Sequence, residues 1–503
     1  MKSLIHNGVQ VPPSYVEQGL HVVIDEASLE LTPEQEELAV AWAKKVGTEY
    51  VEDPVFVKNF FEDFSAKTGK NRLGPQSVDF TQVAQFVERE RERKASMSRE
   101  EKKKAVEERK VLREQSKERY GYAQVDGLRV EVGNYVAEPS SIFMGRGRHP
   151  MRGKWKEGPR HGDIELNLSP EAPVPSGGWK AIVWEPESMW IARWKDKLSN
   201  KMKYVWLSDS AIVKQKREIE KFNLAKSLDR SLEEVRAHIA KSLEWEDLTR
   251  KRIATVCYLV DHLMFRVGDE ENEAGTVGAS TLKPQHITFN PDGSTSFDFL
   301  GKDSIRFKKT ITLPQVVVQN LKEFASHSRS AIFKGVRSKP VSDFLSEVMP
   351  GLTAKVFRTY HATRAVDEYL KRQELKSELD HVKKHLAVMA NLEAAALCNH
   401  KRKTPKNWNS SLEKKQERLR KLRSQEKKTP RTLLALDKLR LNIEETRETR
   451  DYNLRTSLKS YIDPRVYYDW GLRTDYDWRN YYPKTLQRKF SWVESATSLG
   501  GKI

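Results

Sequence analysis

Residues 403 to 450 limit what this chain can be. They are charged throughout, yet they read as two helical halves, NSSLEKKQERLRKLRSQEKK and RTLLALDKLRLNIEETRETR, parted by Thr429-Pro430. A proline has no N–H to give and clashes with the preceding turn, so one helix ends there and another begins. The predicted shape is an antiparallel helical hairpin that joins a large body before it to a small segment after it. The chain is therefore multidomain, and its 503 residues exceed what one hydrophobic core usually organises.

The body itself changes character along its length. In LTPEQEELAVAWAKKV, Leu38, Ala39, Ala41 and Trp42 share a face and predict a packed helix. From Phe86 to Tyr120 runs a long charged stretch, in which Ser98-Arg-Glu-Glu101 matches the start signal of a helix that resumes after a break at ASMS. Its alternating charge predicts a solvated helical face. Residues 127 to 205 bring Pro and Gly clusters with short apolar runs, a pattern of strands and loops.

From about 206 to 265 the helical period returns, with Ile253, Val256, Cys257, Val260, Leu263 and Met264 in step, so that Arg266 falls at a helix end beside Gly268. A small antiparallel sheet follows, built from His286 to Phe289, Phe297 to Leu300 and Ile305 to Phe307, with Lys302 at a hairpin tip. Thr353 caps a helix through AKVFRTYHATRAVDEYLKR, and another runs through NLEAAALCNH to His400. The fold class is α+β multidomain: a mixed α/β first region, a mainly α body with a small antiparallel sheet, a helical-hairpin linker and a small helical C-terminal domain.

The 89 Lys and Arg against 71 Asp and Glu leave a net charge of +18, which favours an extended anionic partner. No apolar run approaches the ~20 residues that cross a bilayer, and the first residues, MKSLIHNGVQVPPSY, lack the apolar core of a secretion signal. Nucleic acid is the expected partner. Cys257 and Cys398 form no CxxC pair, which fits a reducing compartment and gives no zinc framework. His381 and His385 stand one helical turn apart but without the glutamate of a zincin or a third ligand, so a solvated helix face is expected and no metal. There is no GxxxxGK[ST] loop. Gly145-Arg-Gly147 is followed by Pro150 where a dinucleotide loop needs glycine, so the two glycines read as a tight turn presenting Arg146.

Composition does not select catalytic groups among so many cations. Resemblance does. The runs FRVGDEENEAGTVG, FDFLGKDSIRF, GLTAKVFRTYHAT, ALCNHKR and TSLKSYIDPR resemble, in order and spacing, the active-site segments of eukaryotic-type DNA topoisomerase IB. VKNFFEDF, DFTQVAQF, MSREEKKKAVEERK, NYVAEP and FMGRGRHP extend the similarity across nearly the whole chain.

The resemblance implies that Tyr461 is the nucleophile, that Arg266, Arg358 and His400 hold the scissile phosphate, and that Lys302 is the general acid. It implies that Phe143, Arg146, His149, Lys355, Asp303 and Ser460 line the DNA. It further implies a DNA-clamping cap over 1–200, a catalytic core over 201–402, a linker over 403–450 and a tyrosine-bearing domain over 451–503. The activity implied is relaxation of supercoiled duplex DNA through a 3'-phosphotyrosine, without ATP, metal or small-molecule cofactor, by a monomer that binds double-stranded DNA largely regardless of sequence. The chemistry suits these residue types. Phenolate attack adds a second negative charge to a phosphodiester, and fixed arginine forks are suited to hold it.

Two alternatives stay open at this point, a site-specific tyrosine recombinase and a non-catalytic DNA-binding homologue. Recombinases typically carry His-x-x-Arg where this chain has Lys355-Val-Phe-Arg358. Compared with cellular members the linker is short and a long basic N-terminal extension is missing. A compact viral or divergent eukaryotic enzyme is therefore expected, acting in the nucleus or in a viral factory or virion. Ser460 stands where cellular enzymes commonly have Asn, which predicts weakened poisoning by camptothecin-type drugs.

Overall fold

Two packing problems are solved along this chain, which divides into the units Met1–Lys214 and Gln215–Ile503. The computed structural model describes residues 1–269, 275–373, 379–426 and 428–498. The Glu270 to Ala274 part of the first active-site run therefore lies outside the described residues.

The first unit holds two cores. In one, the helices Pro33–Ala43, Pro54–Thr68 and Thr81–Ser96 gather aromatic rings, with Trp42 stacked on Phe60 at 4.2 Å, against the antiparallel strands His21–Ile24, Ala27–Glu30 and Val78–Asp79. The expected packed face is there: Leu38, Ala39 and Trp42 are buried, while Ala41 is partly buried. In the other core, Leu4, Ile164, Leu166 and Ile191 come from a three-stranded sheet and a four-stranded one. The latter has the order Ala181–Val183, Ile164–Asn167, Trp190–Lys195, Met202–Trp206, with only its first pair parallel. Ser98 caps the Arg99–Tyr120 helix reciprocally with Glu101, and no residue of that helix is buried, as its charge alternation predicts.

In the second unit the helices Ile212–Leu243, Leu248–Leu263, Gln315–Ser326, Ser338–Ser346 and Ala354–Arg372 surround one hydrophobic core. The expected sheet is present as Ile287–Phe289, Thr295–Gly301 and Ile305–Ile311, antiparallel throughout, with Gly301 opposite Ile305 at the hairpin end. The charged segment forms the helices Trp408–Arg423 and Pro430–Glu448, which pack on each other, with Pro430 in the first turn and Thr429 accepting from the Thr432 amide at 3.2 Å.

Beyond it, Tyr467, Trp470, Tyr482, Phe490 and Trp492 form a second core against Ala387, Ala390 and Ala394 of the Asp380–Leu397 helix. Alanines on that face leave room for bulky rings, and this packing fixes the C-terminal segment on the body, as its aromatic clusters suggest. No helix among the described residues is long and apolar enough to cross a membrane.

His381 and His385 correct one expectation. They do not lie on a solvated face. His381 Nε2 sits 2.7 Å from Asp437 and His385 Nδ1 3.2 Å from Glu445, both carboxylates on the Pro430–Glu448 helix. The spacing that put them on one face also turned that face toward the Pro430–Glu448 helix, a tertiary contact no local pattern reveals.

Candidate active site

Arg358 lies on the Ala354–Arg372 helix and is buried, with 4% of its surface exposed. Its position follows from two helix ends. The Leu248–Leu263 helix stops at Met264, whose φ of 58° is left-handed, and the Asp380–Leu397 helix stops at Cys398. Carbonyls at such ends have no partner within the helix. Arg358 donates one terminal nitrogen to the Met264 carbonyl and the other to the Cys398 carbonyl, the latter at 2.9 Å. A cation also suits the negative end of each helix dipole. Its Nε is buried with no hydrogen-bond partner among the described residues.

Arg266 is fixed by two glycines. Gly268 has a φ of 81°, in the left-handed region, and the Gly278 backbone passes so close that a methyl group there would stand 2.7 Å from the Arg266 carbonyl oxygen. The amide of Ala279 donates to that same carbonyl at 2.8 Å. Only residues without a side chain let the two backbone runs come this near.

His400 closes the Asp380–Leu397 helix in a Schellman arrangement. Asn399 takes the left-handed position with φ of 50°, its amide donates to Ala396 at 3.0 Å, and the His400 amide donates to Ala395 at 2.8 Å. The imidazole Nε2 lies 3.3 Å from an Arg358 nitrogen and Nδ1 lies 2.7 Å from the Ser457 hydroxyl. Burial, with the charges of Arg358 and Arg266, pushes His400 down to about 3, so the ring is neutral at physiological pH.

Tyr461 caps the short Leu454–Ser460 helix, and its amide donates to the Ser457 carbonyl at 2.9 Å. Asp463 then caps the next helix, Pro464–Thr474, by accepting from the Arg465 amide. Asp-Pro thus starts a new helix, capped two residues after the tyrosine. Thr363, on the arginine-bearing helix, donates to the Tyr461 carbonyl at 3.2 Å and accepts from the Asp463 amide at 3.0 Å.

The Tyr461 ring centroid is 5.1 Å from the Arg358 guanidinium carbon and 5.1 Å from the His400 ring centroid. Burial pushes the phenol up, but Arg358 and Arg266, through charge and hydrogen bonding, outweigh it and leave the hydroxyl below its ordinary value of 10.0.

Three of the five expected catalytic residues, Arg266, Arg358 and His400, therefore meet around the phenol of a fourth, Tyr461. Lys302 is exposed at the tip of the Thr295–Gly301 and Ile305–Ile311 hairpin, where Asp303 and Ser304 take positive φ. Lys355 is exposed on the first turn of the arginine helix, and Asp303 is exposed beside Lys302. The Ser460 carbonyl accepts from Lys221 at 3.3 Å. In the first unit, Phe143 and His149 meet edge to face at 4.9 Å, and Arg146 is exposed between two glycines of left-handed φ. Sequence reasoning missed Ser457 and Thr363. Ser457 lies one helical turn before Tyr461, which is the one signal that could have found it.

Three family models match the chain: the DNA binding fragment of eukaryotic DNA topoisomerase I over residues 1–207, its catalytic core over 210–433, and the C-terminal topoisomerase domain over 435–498. DNA topoisomerase 1 of Rattus norvegicus is 30% identical across 99% of this chain and 71% of its own length. The chain belongs to the eukaryotic DNA topoisomerase I family. DNA topoisomerase 1 beta of Arabidopsis thaliana is 33% identical across 98% of the chain, and DNA topoisomerase 1 of Candidozyma auris 34% across 87%. The chain spans 58% and 60% of the length of these two topoisomerases.

Proposed function

We propose that this chain is a type IB DNA topoisomerase, which relaxes supercoiled duplex DNA by cutting one strand, letting it swivel and resealing it. One observation carries the reading: the phenol of Tyr461 lies among Arg266, Arg358 and His400 and is acidified by the two arginines against the effect of burial. Membership of the topoisomerase I family supports it over a recombinase or a silent DNA-binding protein.

The chemistry runs as a transesterification. The Tyr461 oxygen attacks the scissile phosphorus as its proton leaves to solvent, and the bond to the 5' oxygen breaks. A 3'-phosphotyrosine remains, close in energy to the linkage it replaces, so the free 5' hydroxyl reseals the strand without ATP. Arg266 and Arg358 face the charge that grows on the phosphoryl oxygens, and their donors are preorganised by the backbone contacts described above. His400, neutral, offers a hydrogen bond instead of a charge. Lys302 protonates the leaving 5' oxygen when bound DNA brings the hairpin tip and the phosphate together.

In this reading, residues 1–200 form the cap, with Phe143, Arg146 and His149 against the duplex, and 201–402 the catalytic core, where Lys355 and Asp303 line it. The linker is 403–450, and the domain 451–503 presents Ser460 beside the cut strand. Duplex binding is largely independent of sequence, and the protein acts as a monomer. Acting on DNA, it works in the nucleus or, if of viral origin, in the viral factory or virion.

The test is relaxation of a supercoiled plasmid with EDTA present and ATP absent, stopped with detergent. Wild type is expected to relax the plasmid and leave protein on the 3' side of the break, and Tyr461→Phe to bind DNA but not nick it. Equal relaxation by Tyr461→Phe removes the nucleophile assignment.

A further inference from the structure

The helix that carries the nucleophile is seven residues long. A helix so short does not hold itself together in water, and its last carbonyls have no partner within it. Two lysines from other parts of the second unit take those carbonyls. Lys221, on the Ile212–Leu243 helix, donates to the Ser460 carbonyl at 3.3 Å, and Lys489, at the end of the Lys484–Lys489 helix, donates to the Lys459 carbonyl at 2.8 Å. One carboxylate joins them: Glu218 lies 2.8 Å from Lys221 and 3.0 Å from Lys489.

All three are withdrawn from water, with side-chain exposures of 14% for Lys221, 7% for Lys489 and 21% for Glu218. Burying three charges is costly unless each is paired; here each is paired, and each lysine spends a further donor on the backbone beside Tyr461. Burial pushes Lys221 down to about 8, with Glu218 opposing the fall and Lys489 and Lys355 adding to it. Glu218 stays below the ordinary carboxylate range despite burial, because both lysines face it.

Resting on the topoisomerase reading, we propose that Lys221 and Lys489, bridged by Glu218, are positioning residues that clasp the backbone of Lys459 and Ser460 and so set the line along which the Tyr461 hydroxyl meets phosphorus. None of the three touches the reacting atoms. Thr363 holds the same segment from the other side, at the Tyr461 carbonyl. Together they fix the two peptide groups before the nucleophile and the one after it. Loss of alignment at a reacting centre, even by about 1 Å, costs as much as ~100-fold in rate.

The clasp is tested with Lys221→Met, Lys221→Arg and Lys489→Met in the full chain. Single-turnover cleavage is measured on a saturating suicide duplex, and DNA affinity is measured separately in a Tyr461→Phe background. The expectation is a cleavage rate about 10- to 100-fold lower in both methionine variants with unchanged affinity, measured below the thermal midpoint of each variant, and recovery of most of the rate in Lys221→Arg. Full-rate cleavage by either methionine variant overturns the clasp while leaving the nucleophile assignment standing. So does a loss that follows the thermal midpoint and is not recovered by arginine. A wild-type chain that forms no adduct overturns both.

Discussion

The Ser457 hydroxyl lies 2.7 Å from Nδ1 of His400, with both groups buried. A hydroxyl can donate or accept, so Ser457 permits either tautomer of a neutral imidazole. With Nε2 against the Arg358 guanidinium, the ring accepts there and donates from Nδ1 to Ser457. When a phosphate oxygen takes the place facing Nε2, the proton must sit on Nε2, and Ser457 then donates to Nδ1. Ser457→Ala leaves Nδ1 without a partner and is expected to slow cleavage about tenfold, the value of one oriented hydrogen bond. Ser457→Thr keeps the hydroxyl and most of the rate. Single-turnover cleavage decides, and an alanine variant as fast as wild type sinks the tautomer argument.

Gly278 gives a test of how Arg266 is held. A methyl group on it would lie 2.4 Å from the Val267 carbonyl oxygen and 2.7 Å from that of Arg266. Both obstacles are backbone, which does not swing aside as a side chain does, so Gly278→Ala has to move the Arg266 segment. The expected result is a lowered thermal midpoint and a cleavage rate that falls further than that of Gly275→Ala, where the same addition meets open space. Among the described residues, strain from a left-handed φ of 70° is then the penalty at Gly275. Equal rates in the two variants would mean that the close approach does not position the arginine.

Both arginines act on the one phenol. Removing Arg358 is expected to cost about 100- to 1000-fold in cleavage, the usual loss for a preorganised donor to a developing anion. Since Arg266 also acidifies Tyr461, Arg266→Ala should move the alkaline inflection of the cleavage-rate profile upward, toward the ordinary phenol value of 10.0. An inflection that stays in place would show that Arg266 does not act on the hydroxyl.

What the sequence revealed and what it hid follow from the range of the interactions. The Ser98 to Glu101 cap, the Pro430 break and the sheet around Lys302 are local, and each appears where its residues predict it. Lys403 to Arg450 could be read as a hairpin for the same reason. By contrast, Ser457, Thr363 and Lys221 matter only through atoms brought together from distant parts of the chain, and a serine, a threonine and one lysine among many carry no local mark. The imidazoles of His381 and His385 show the same limit, since their partners Asp437 and Glu445 lie more than fifty positions on. The five motif runs singled out the expected site residues, whereas the groups that support Tyr461, Arg358 and His400 had to be seen in three dimensions.

Acid stability tests the neutral histidines. Burial pushes His400 down to about 3, helped by Arg358 and Arg266, and pushes His6 down to about 4 against an opposing hydrogen bond to the Asn167 carbonyl. Both rings titrate near 6.5 when unfolded. At intermediate pH the unfolded chain therefore binds protons that the folded chain refuses. The stability owed to these rings is complete above their unfolded value and is lost as pH falls from about 6.5 toward 3. His400→Asn removes one of the two, so its thermal midpoint should fall less steeply than that of wild type between about pH 6.5 and 4, with the remaining slope owed in part to His6. Parallel curves for the two proteins would mean that His400 takes up its proton while still folded, and that the ring facing the arginines is charged.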